Sequence, residues 1–317
     1  MVVDENGAGQ RLDNFLIRHL KGVPKTHIYR VIRSGEVRVN KGRAQADTRL
    51  EAGDVLRIPP VRTATQAAPA PIPGREFPVL FEDECVLAIA KPAGVAVHGG
   101  SGVAHGVIEQ LRQARPEARF LELVHRLDKE TSGVLLLAKK RSALTHLQDQ
   151  FRRRGEGAVH KVYAALVWGA WPERLKVIDV ALHKTLDSAG ERHVRVVDAD
   201  HPDGRRSISL VRVLQRWPHP ELSLLDVTLK TGRTHQIRVH LAHSGHPIVG
   251  DPKYGDFSRN REIARGARRF DRMFLHAREL RFEHPVQGHP VTLTAPLPPE
   301  CETLILGLSA AMPDTAP

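Results

Sequence analysis

The chain is poor in cysteine: Cys85 and Cys301 are the only two among its 317 residues. They lie far apart and have no partners at metal-ligand spacing, which excludes a disulfide framework and a cysteine-based zinc site. Cys85 adjoins the apolar run Val86 to Ala90, so we expect a packed and unreactive thiol. A chain without disulfides suits a reducing compartment, and we predict a cytoplasmic location.

Long apolar segments are also missing. No run reaches the roughly 18 apolar residues that mark a membrane helix, so we predict no membrane span. The segment Met1 to Gln10 carries acidic residues and no apolar stretch, so we expect no secretory signal peptide. No glycine-rich loop of the dinucleotide or nucleotide type is present. The sequence therefore predicts no phosphate-binding loop of those two types.

Acidic residues are outnumbered by basic ones. There are 36 Asp and Glu against 47 Lys and Arg, which gives a formal net charge of +11 and a pI of about 10.0. The excess is widespread; from Pro252 to Arg278, for example, eight basic residues stand against three acidic ones. Basic side chains near phosphates release condensed counterions, so this charge favours a polyanion as partner. On charge alone, a soluble protein that is merely basic is the alternative.

The hydrophobic pattern divides the chain into a small and a large domain. Leu12, Phe15, Leu16 and Leu20 recur in steps of three and four and predict a helix. A second helix, which Thr26 could cap, and several short strands follow it. Alanine and proline then dominate without any apolar period, which is typical of a linker. We predict domains at 1–61 and 77–308, a linker at 62–76 and a disordered tail at 309–317.

Three segments of the small domain resemble an S4 RNA-binding domain. They are Arg11 to Leu16, Gly35 to Asn40 and the pair Gly53-Asp54. In that family, two helices and the following turn present basic residues to structured RNA. The resemblance makes six residues candidate RNA contacts: Arg11, Lys25, Arg30, Arg33, Arg38 and Lys41. Each of them, taken singly, could equally be a solvated surface charge.

The large domain mixes strands and helices without a regular βαβ alternation, which favours the α+β class. Strands are predicted at 86–90, 134–138 and 222–229, and helices at 142–151 and 234–243. Thr234 is the expected N-cap of the last helix. The basic stretch 259–272 has no clear apolar period, and we predict a loop that orders on RNA.

The densest group of reactive residues is His125 to Gly133, directly before a predicted buried strand. If the chain is extended there, Arg126 and Asp128 share one face, and His125 and Leu127 share the other. An arginine and a carboxylate would then project together beside a turn. The spacing alone is equally compatible with a surface ion pair.

This segment resembles the signature of the RluA-type pseudouridine synthases, and four further segments resemble that family's other motifs in the same order. The five, in chain order, are Lys91 to Gly94 with Val97-His98, His125 to Asp128 with Thr131 to Gly133, Lys161 to Ala165, Gly232 to His240, and Phe274 to Ala277. The resemblance spans some two hundred residues and shows no departure at the catalytic positions. It implies a mixed, largely antiparallel sheet with flanking helices and a central RNA cleft.

The resemblance also assigns roles. Asp128 is the essential carboxylate that attacks either the ribose or the uracil ring, and Arg238 is the basic partner that keeps it charged. Tyr163 belongs to the uridine pocket, Leu275 is an apolar wall of it, and Arg126 fills the gap left by the flipped base. Isomerising uridine needs neither redox chemistry nor energy, so no cofactor and no metal are expected.

Within the family, the S4 segment and Asp251 to Asp256 most resemble the RluC branch. That branch implies 23S ribosomal RNA, or a large-subunit precursor particle, as substrate, with several modified sites. The RluD branch is the nearest competitor, and a tRNA substrate is less expected. No obligate protein partner is implied, and we expect a monomer.

Two other functions are compatible with parts of the pattern. A non-catalytic RNA-binding or ribosome-assembly factor would keep the S4 domain and need no carboxylate. A base-removing hydrolase would release free uracil, although such enzymes normally use two carboxylates. A zinc site at His235, His240, His243 and His246 is disfavoured, because no cysteine lies among these histidines.

Overall fold

The computed structural model describes residues 1–310 apart from residues 6, 21, 62–72, 100–104, 154, 156 and 187–191. The chain separates into two compact units, Met1–Pro73 and Gly74–Pro317. Most of the predicted linker and residues 311–317 of the predicted tail lie outside the described residues. Within the described ranges, no helix is long and apolar enough to cross a membrane.

The first unit builds its core from two helices and a small antiparallel sheet. Its elements are α1 (Leu12–His19), α2 (Lys25–Arg33), β1 (Arg38–Val39), β2 (Gly42–Arg43) and β3 (Leu56–Arg57), with strand order β2-β1-β3. Leu12, Leu16 and Ile28 are completely buried in this core. Helix α2 begins directly after Pro24, so the expectation that Thr26 caps it is wrong. The fixed φ of proline sets the entry into the helix instead.

The second unit is built on an 11-stranded sheet. Its strands are β4 (Val79–Glu82), β5 (Val86–Lys91), β6 (Glu122–Leu123), β7 (Ser132–Ala138), β8 (His160–Trp168), β9 (Val177–Leu186), β10 (Arg192–Val197), β11 (Arg205–Pro218), β12 (Glu221–Leu229), β13 (Leu275–Glu283) and β14 (Pro290–Thr294). The order is β10-β9-β11-β12-β8-β13-β7-β5-β4, with β14 on β13 and β6 on β7. One pairing, β13 with β7, is parallel, and the others are antiparallel. The predicted mixed, largely antiparallel α+β fold is confirmed.

The parallel pairing of β13 with β7 joins the two halves of the sheet. It is short, with His276 opposite Ser132 and Ala277 opposite Gly133. Gly133 has a φ of +116°, and a Cβ there would lie 2.2 Å from the carbonyl oxygen of Ala277. A side chain therefore cannot be accommodated at this junction.

Five helices complete the second unit: α3 (Val107–Ala114), α4 (Arg141–Arg152), α5 (Gln236–His243), α6 (Phe257–Arg265) and α7 (Pro299–Ala310). Apolar side chains of each strand alternate between the two faces of the sheet. On β7, Val134 and Leu136 join one core cluster, and Leu135 and Leu137 join another. Both faces are therefore packed.

Three sequence expectations need correction. Helix α5 begins at Gln236, and its N-cap is His235 rather than Thr234. Part of the predicted loop 259–272 is helix α6, whose N-cap Asp256 accepts hydrogen bonds from two backbone amides. Ile263 is its one buried residue, so an apolar period was not detectable. Helix α7 continues to Ala310, so the first two residues of the predicted tail are helical.

Candidate active site

A cleft of about 930 Å³ in the second unit collects the catalytic-domain residues that the sequence singled out. Asp128, Arg238, Tyr163, Arg126 and Leu275 all line it. Its other lining side chains make it strongly basic, because among the described residues of the lining eight are Lys or Arg and only Asp128 is a carboxylate. The eight are Arg126, Arg152, Arg153, Lys161, Arg206, Lys230, Arg233 and Arg238. Such a groove raises the local concentration of an anionic ligand.

Asp128 lies in an irregular segment just before β7. Leu127 is buried in the core, which fixes the segment, and the amide of Thr131 donates to the Asp128 carbonyl over 3.1 Å. Lys91 adds a clamp, because its buried ammonium donates to the carbonyls of Pro92, Val95 and Lys129 at 2.8, 2.7 and 3.0 Å. The Asp128 side chain keeps 29% of its surface exposed. A substrate can therefore reach a carboxylate whose backbone is held.

Arg238 lies between two carboxylates. Its Nε and Nη2 donate to the two oxygens of Asp251 at 2.8 and 2.7 Å, and its Nη1 donates to Asp128 Oδ2 at 3.4 Å. Burial opposes the charge of Arg238, but the hydrogen bonds and charge of Asp251 outweigh it and raise the pKa of Arg238. Asp251 is fully buried. This carboxylate therefore fixes the guanidinium and leaves one edge of it for Asp128.

His235 is a second group that faces Asp128. Its Nε2 lies 3.9 Å from Asp128 Oδ2, and its Nδ1 lies 2.8 Å from the hydroxyl of Tyr254. That hydroxyl accepts from the Val194 amide. If the Tyr254 hydroxyl donates its proton to Nδ1 of His235, the single proton of the neutral ring is on Nε2, the ring nitrogen that faces Asp128. Burial lowers the pKa of His235, so the ring is neutral near pH 7.

The backbone conformation at His235 is what aims its ring. The residue has a φ of +53°, in the left-handed region that non-glycine residues rarely adopt. The loop before it is tied down by Gln236, whose side-chain oxygen accepts from Thr231 Oγ1 at 2.8 Å and from the Arg233 amide at 3.0 Å. Strain of this kind persists only where neighbouring contacts enforce it.

Tyr163 and Leu275 form the apolar side of the cleft. Leu275 is 4% exposed and pairs with Ala165 across β13 and β8. Burial and the nearby Asp128 charge raise the pKa of Tyr163, so its hydroxyl stays protonated at neutral pH. Arg126 is exposed. Its neighbour His125 accepts from the Leu136 amide over 3.1 Å and stacks on Phe151; burial lowers its pKa to about 3.

The histidines near α5 point to separate partners. His240 Nε2 lies 3.1 Å from Ser207 Oγ, and His246 Nδ1 lies 2.9 Å from the Trp168 carbonyl. Among the described residues, no group of three His, Cys, Asp or Glu side chains is placed to hold a metal ion.

The six S4 candidates lie in the first unit, and one of them is already engaged. Arg11 makes a bidentate ion pair with the buried Asp13, at 3.1 and 2.7 Å. Arg38 stands directly opposite two arginines on the neighbouring strands, Arg43 and Arg57. Like charges in such positions destabilise a sheet. The other four candidates, Lys25, Arg30, Arg33 and Lys41, are exposed.

Several site residues were missed from the sequence: Asp251, His235, Tyr254, Arg43 and Arg57. In the sequence, Asp251 stood out only as the start of the segment Asp251 to Asp256, and His235 only as a member of the motif Gly232 to His240 and of the histidine group. A signal existed for Asp251, since a lone carboxylate that follows Gly250 and a buried apolar pair is a candidate partner for a nearby arginine. None existed for His235, whose role depends on its left-handed backbone.

A small basic unit precedes a sheet whose cleft surrounds the accessible carboxylate of Asp128 with basic side chains, an arrangement that suits an enzyme acting on a polyanion such as RNA. Comparisons with known sequences agree. The sequence model described as RNA pseudouridylate synthase matches residues 85–243, and that of the S4 domain matches residues 10–56. The chain belongs to the RNA pseudouridylate synthase family and carries an S4 domain.

Relatives are similar over almost the whole chain. The ribosomal large subunit pseudouridine synthase C of Pasteurella multocida is 48% identical over 312 residues, which cover 96% of this chain and 92% of the relative. The protein of that name from Escherichia coli K12 is 47% identical over 303 residues, which cover 94% of this chain and 92% of the relative. A solved structure, human RNA pseudouridylate synthase domain containing 4, is 25% identical with a TM-score of 0.59; the match covers 73% of this chain and 93% of the human chain.

Proposed function

We propose that this protein isomerises uridine to pseudouridine at several sites in bacterial 23S ribosomal RNA, free or in a large-subunit precursor particle, with Asp128 as the essential carboxylate. The observation that carries the proposal is one carboxylate, in contact with Arg238, in a cleft lined by eight basic side chains. The names of the bacterial relatives supply the large ribosomal subunit. We further propose that it acts as a monomer in the cytoplasm.

The reaction exchanges one bond for another. The bond from C1′ to N1 of uracil breaks, the bond from C1′ to C5 forms, C5 loses a proton and N1 gains one. No electrons are exchanged with another molecule, so no cofactor or metal is required. Asp128 attacks either the ribose or the uracil ring, and both routes need an ionised carboxylate. The Arg238 guanidinium donates a charge-assisted hydrogen bond to that carboxylate.

The two oxygens of Asp128 have different surroundings. Arg238 and His235 both approach Oδ2. Within the described residues, no side chain donates to Oδ1. We therefore assign the attack to the oxygen remote from Arg238, because its lone pairs are not engaged.

The neighbouring side chains hold the base. In the proposal the Tyr163 ring stacks on uracil, Leu275 closes the pocket, and the Tyr163 hydroxyl takes part in moving the C5 proton. The target nucleotide must first leave its stack, at a cost of a few kcal/mol. Arg126 is exposed at the cleft and fills the space that the base vacates.

The first unit is proposed to hold the RNA backbone. Lys25, Arg30, Arg33, Arg38 and Lys41 are the predicted contacts, and Arg43 and Arg57 join them because they oppose Arg38. A phosphate would relieve the repulsion within that arginine group. Arg11 has a smaller part, since Asp13 already binds its guanidinium.

The test is a reaction with purified protein and 23S RNA transcribed with tritium at C5 of uridine. Wild type should release tritium and yield carbon-linked nucleoside without free uracil. Asp128→Asn should release none while it binds the RNA as tightly. Activity in Asp128→Asn, or free uracil as the product, would contradict the proposal. A wild type that binds but releases no tritium would instead indicate a non-catalytic RNA-binding factor.

A further inference from the structure

Lys161 is a cleft residue to which the proposed mechanism gives no task. It lies on β8 two residues before Tyr163, and both residues line the cleft. Its side chain is half-buried, and its ammonium lies 5.5 Å from the centre of the Phe151 ring. In the part of the chain that the structure describes, no group forms a hydrogen bond or an ion pair with this ammonium.

This isolation contrasts with the other lysines that the second unit buries or half-buries nearby. Lys91 donates to three carbonyls, and Lys139 donates to Glu82 and to the Asp83 carbonyl. Burial lowers the pKa of Lys161, and no carboxylate in the described ranges offsets the effect. Withdrawing a cation from water without a partner is unfavourable for folding. A half-buried cation without a described partner, located in a cleft, is typical of a binding site.

The ligand must be an anion that enters this cleft. Uracil and ribose are uncharged at neutral pH, and the phosphodiester is the anionic group of RNA. Lys161 and Tyr163 are two residues apart on one strand, so their Cα atoms lie about 7 Å apart and their side chains leave the same face. The Lys161 ammonium lies against the Phe151 ring. A Cβ on Gly232 would lie 3.9 Å from Nζ. Because Gly232 has no side chain, the approach to the ammonium from that loop stays open.

We propose that Lys161 binds a backbone phosphodiester adjacent to the target nucleotide and thereby holds the flipped uridine over Asp128. The inference rests on the proposed function, since it takes RNA as the occupant of the cleft. The ammonium gains a partner that it lacks among the described residues, and the RNA gains a contact near the reacting base.

The binding test uses a short oligouridylate and the Asp128→Asn protein, in which no turnover occurs. Adding Lys161→Met should weaken binding about tenfold at low salt, as the loss of one charge-assisted contact predicts. The slope of log Kd against log salt should fall by about 0.7, the value for one phosphate of a single strand. Lys161→Arg should keep both values. Lys176→Met, at an exposed lysine outside the cleft lining, should change neither.

The kinetic test uses tritium release from 23S RNA in the presence of Asp128. Lys161→Met should raise KM and leave kcat near the wild-type value. An unchanged salt slope, an equal change in Lys176→Met, or a lower kcat with unchanged KM would overturn the proposal. If Lys161→Met fails to fold, Lys161→Gln takes its place with the same expectations. A wild type that releases no tritium would defeat the proposed function, whereas the binding arm would still decide the phosphate site.

Discussion

Replacing Asp251 with asparagine tests whether Arg238 must be held in place, because the arginine stays in the site but loses the buried carboxylate that positions it. The change removes one charge from a pair whose side chains are 6% and 1% exposed for Arg238 and Asp251. Breaking such a buried pair from one side costs about 3–5 kcal/mol of folding free energy. Arg238 keeps Asp128 as a partner, and asparagine can still accept from the amides of Lys253 and Tyr254. We therefore expect Asp251→Asn to lower the free energy of unfolding by about 3 kcal/mol, the lower end of that range.

The effect on catalysis should be larger than the loss of stability alone explains. Without the Asp251 carboxylate, the ion pair that the described residues leave to the guanidinium is the long one, 3.4 Å to Asp128 Oδ2, beside its contact with the Tyr254 ring. Misplacing a catalytic group by about 1 Å can lower a rate about 100-fold. The single-turnover rate of tritium release, measured where the variant is folded, should fall by about that factor. Urea unfolding followed by circular dichroism gives the stability.

Asp226→Asn is the matched control. Asp226 is also buried and pairs with two arginines, Arg212 and Arg278. Its neighbours Leu225 and Val227 pack in the cluster that contains Ile237 of α5, so Asp226 faces the other side of the sheet. This variant should lose stability and keep its rate. The reasoning is refuted if Asp251→Asn turns over at the wild-type rate, or if both variants slow equally.

Three further outcomes follow from the same geometry. Lys91→Met should destabilise the protein by about 2–3 kcal/mol in urea unfolding, because buried carbonyls lose their donor. It should also slow tritium release, because one of those carbonyls belongs to Lys129, the neighbour of Asp128. An unchanged rate would show that Lys91 does not position the Asp128 carboxylate. Tyr254→Phe removes the hydroxyl that orients His235 but keeps the ring over Arg238, so kcat should fall while KM for RNA stays constant; a change confined to KM would contradict this role. Burial lowers the pKa of His276 to about 4, so its contribution to stability is complete above pH 6.5 and is lost as pH falls toward 4. Between pH 7 and 5.5 the loss should be about 1 kcal/mol, and urea unfolding of His276→Gln should lack this part of the pH dependence.

The motif residues were predictable because they lie in short segments with distinctive neighbours. The sequence placed Asp128 directly before a buried strand, and the structure has that strand at β7. It also indicated that Arg126 and Asp128 lie on the face opposite Leu127; in the structure Leu127 is buried and Arg126 is exposed. The strands and helices with clear apolar periods, such as α4 and β12, were likewise found close to their predicted limits.

The rest depended on contacts that no local pattern specifies. Asp251 and Arg238 are separated by a helix end and a turn, and their pairing exists only after both are folded. That pairing holds the guanidinium that contacts Asp128, yet the sequence indicated only Arg238 itself. Lys161 resembled any other basic residue of its motif until burial and the absence of a described partner distinguished it. These are properties of three-dimensional surroundings rather than of residue spacing.

The most direct test of the central claim is a pseudouridine map of 23S RNA from cells with and without this protein, and from cells that produce only Asp128→Asn. The account predicts that a defined set of pseudouridines disappears without the protein, returns with the wild type and stays absent with the variant. An unchanged map in cells without the protein, or a full set restored by Asp128→Asn, would contradict it.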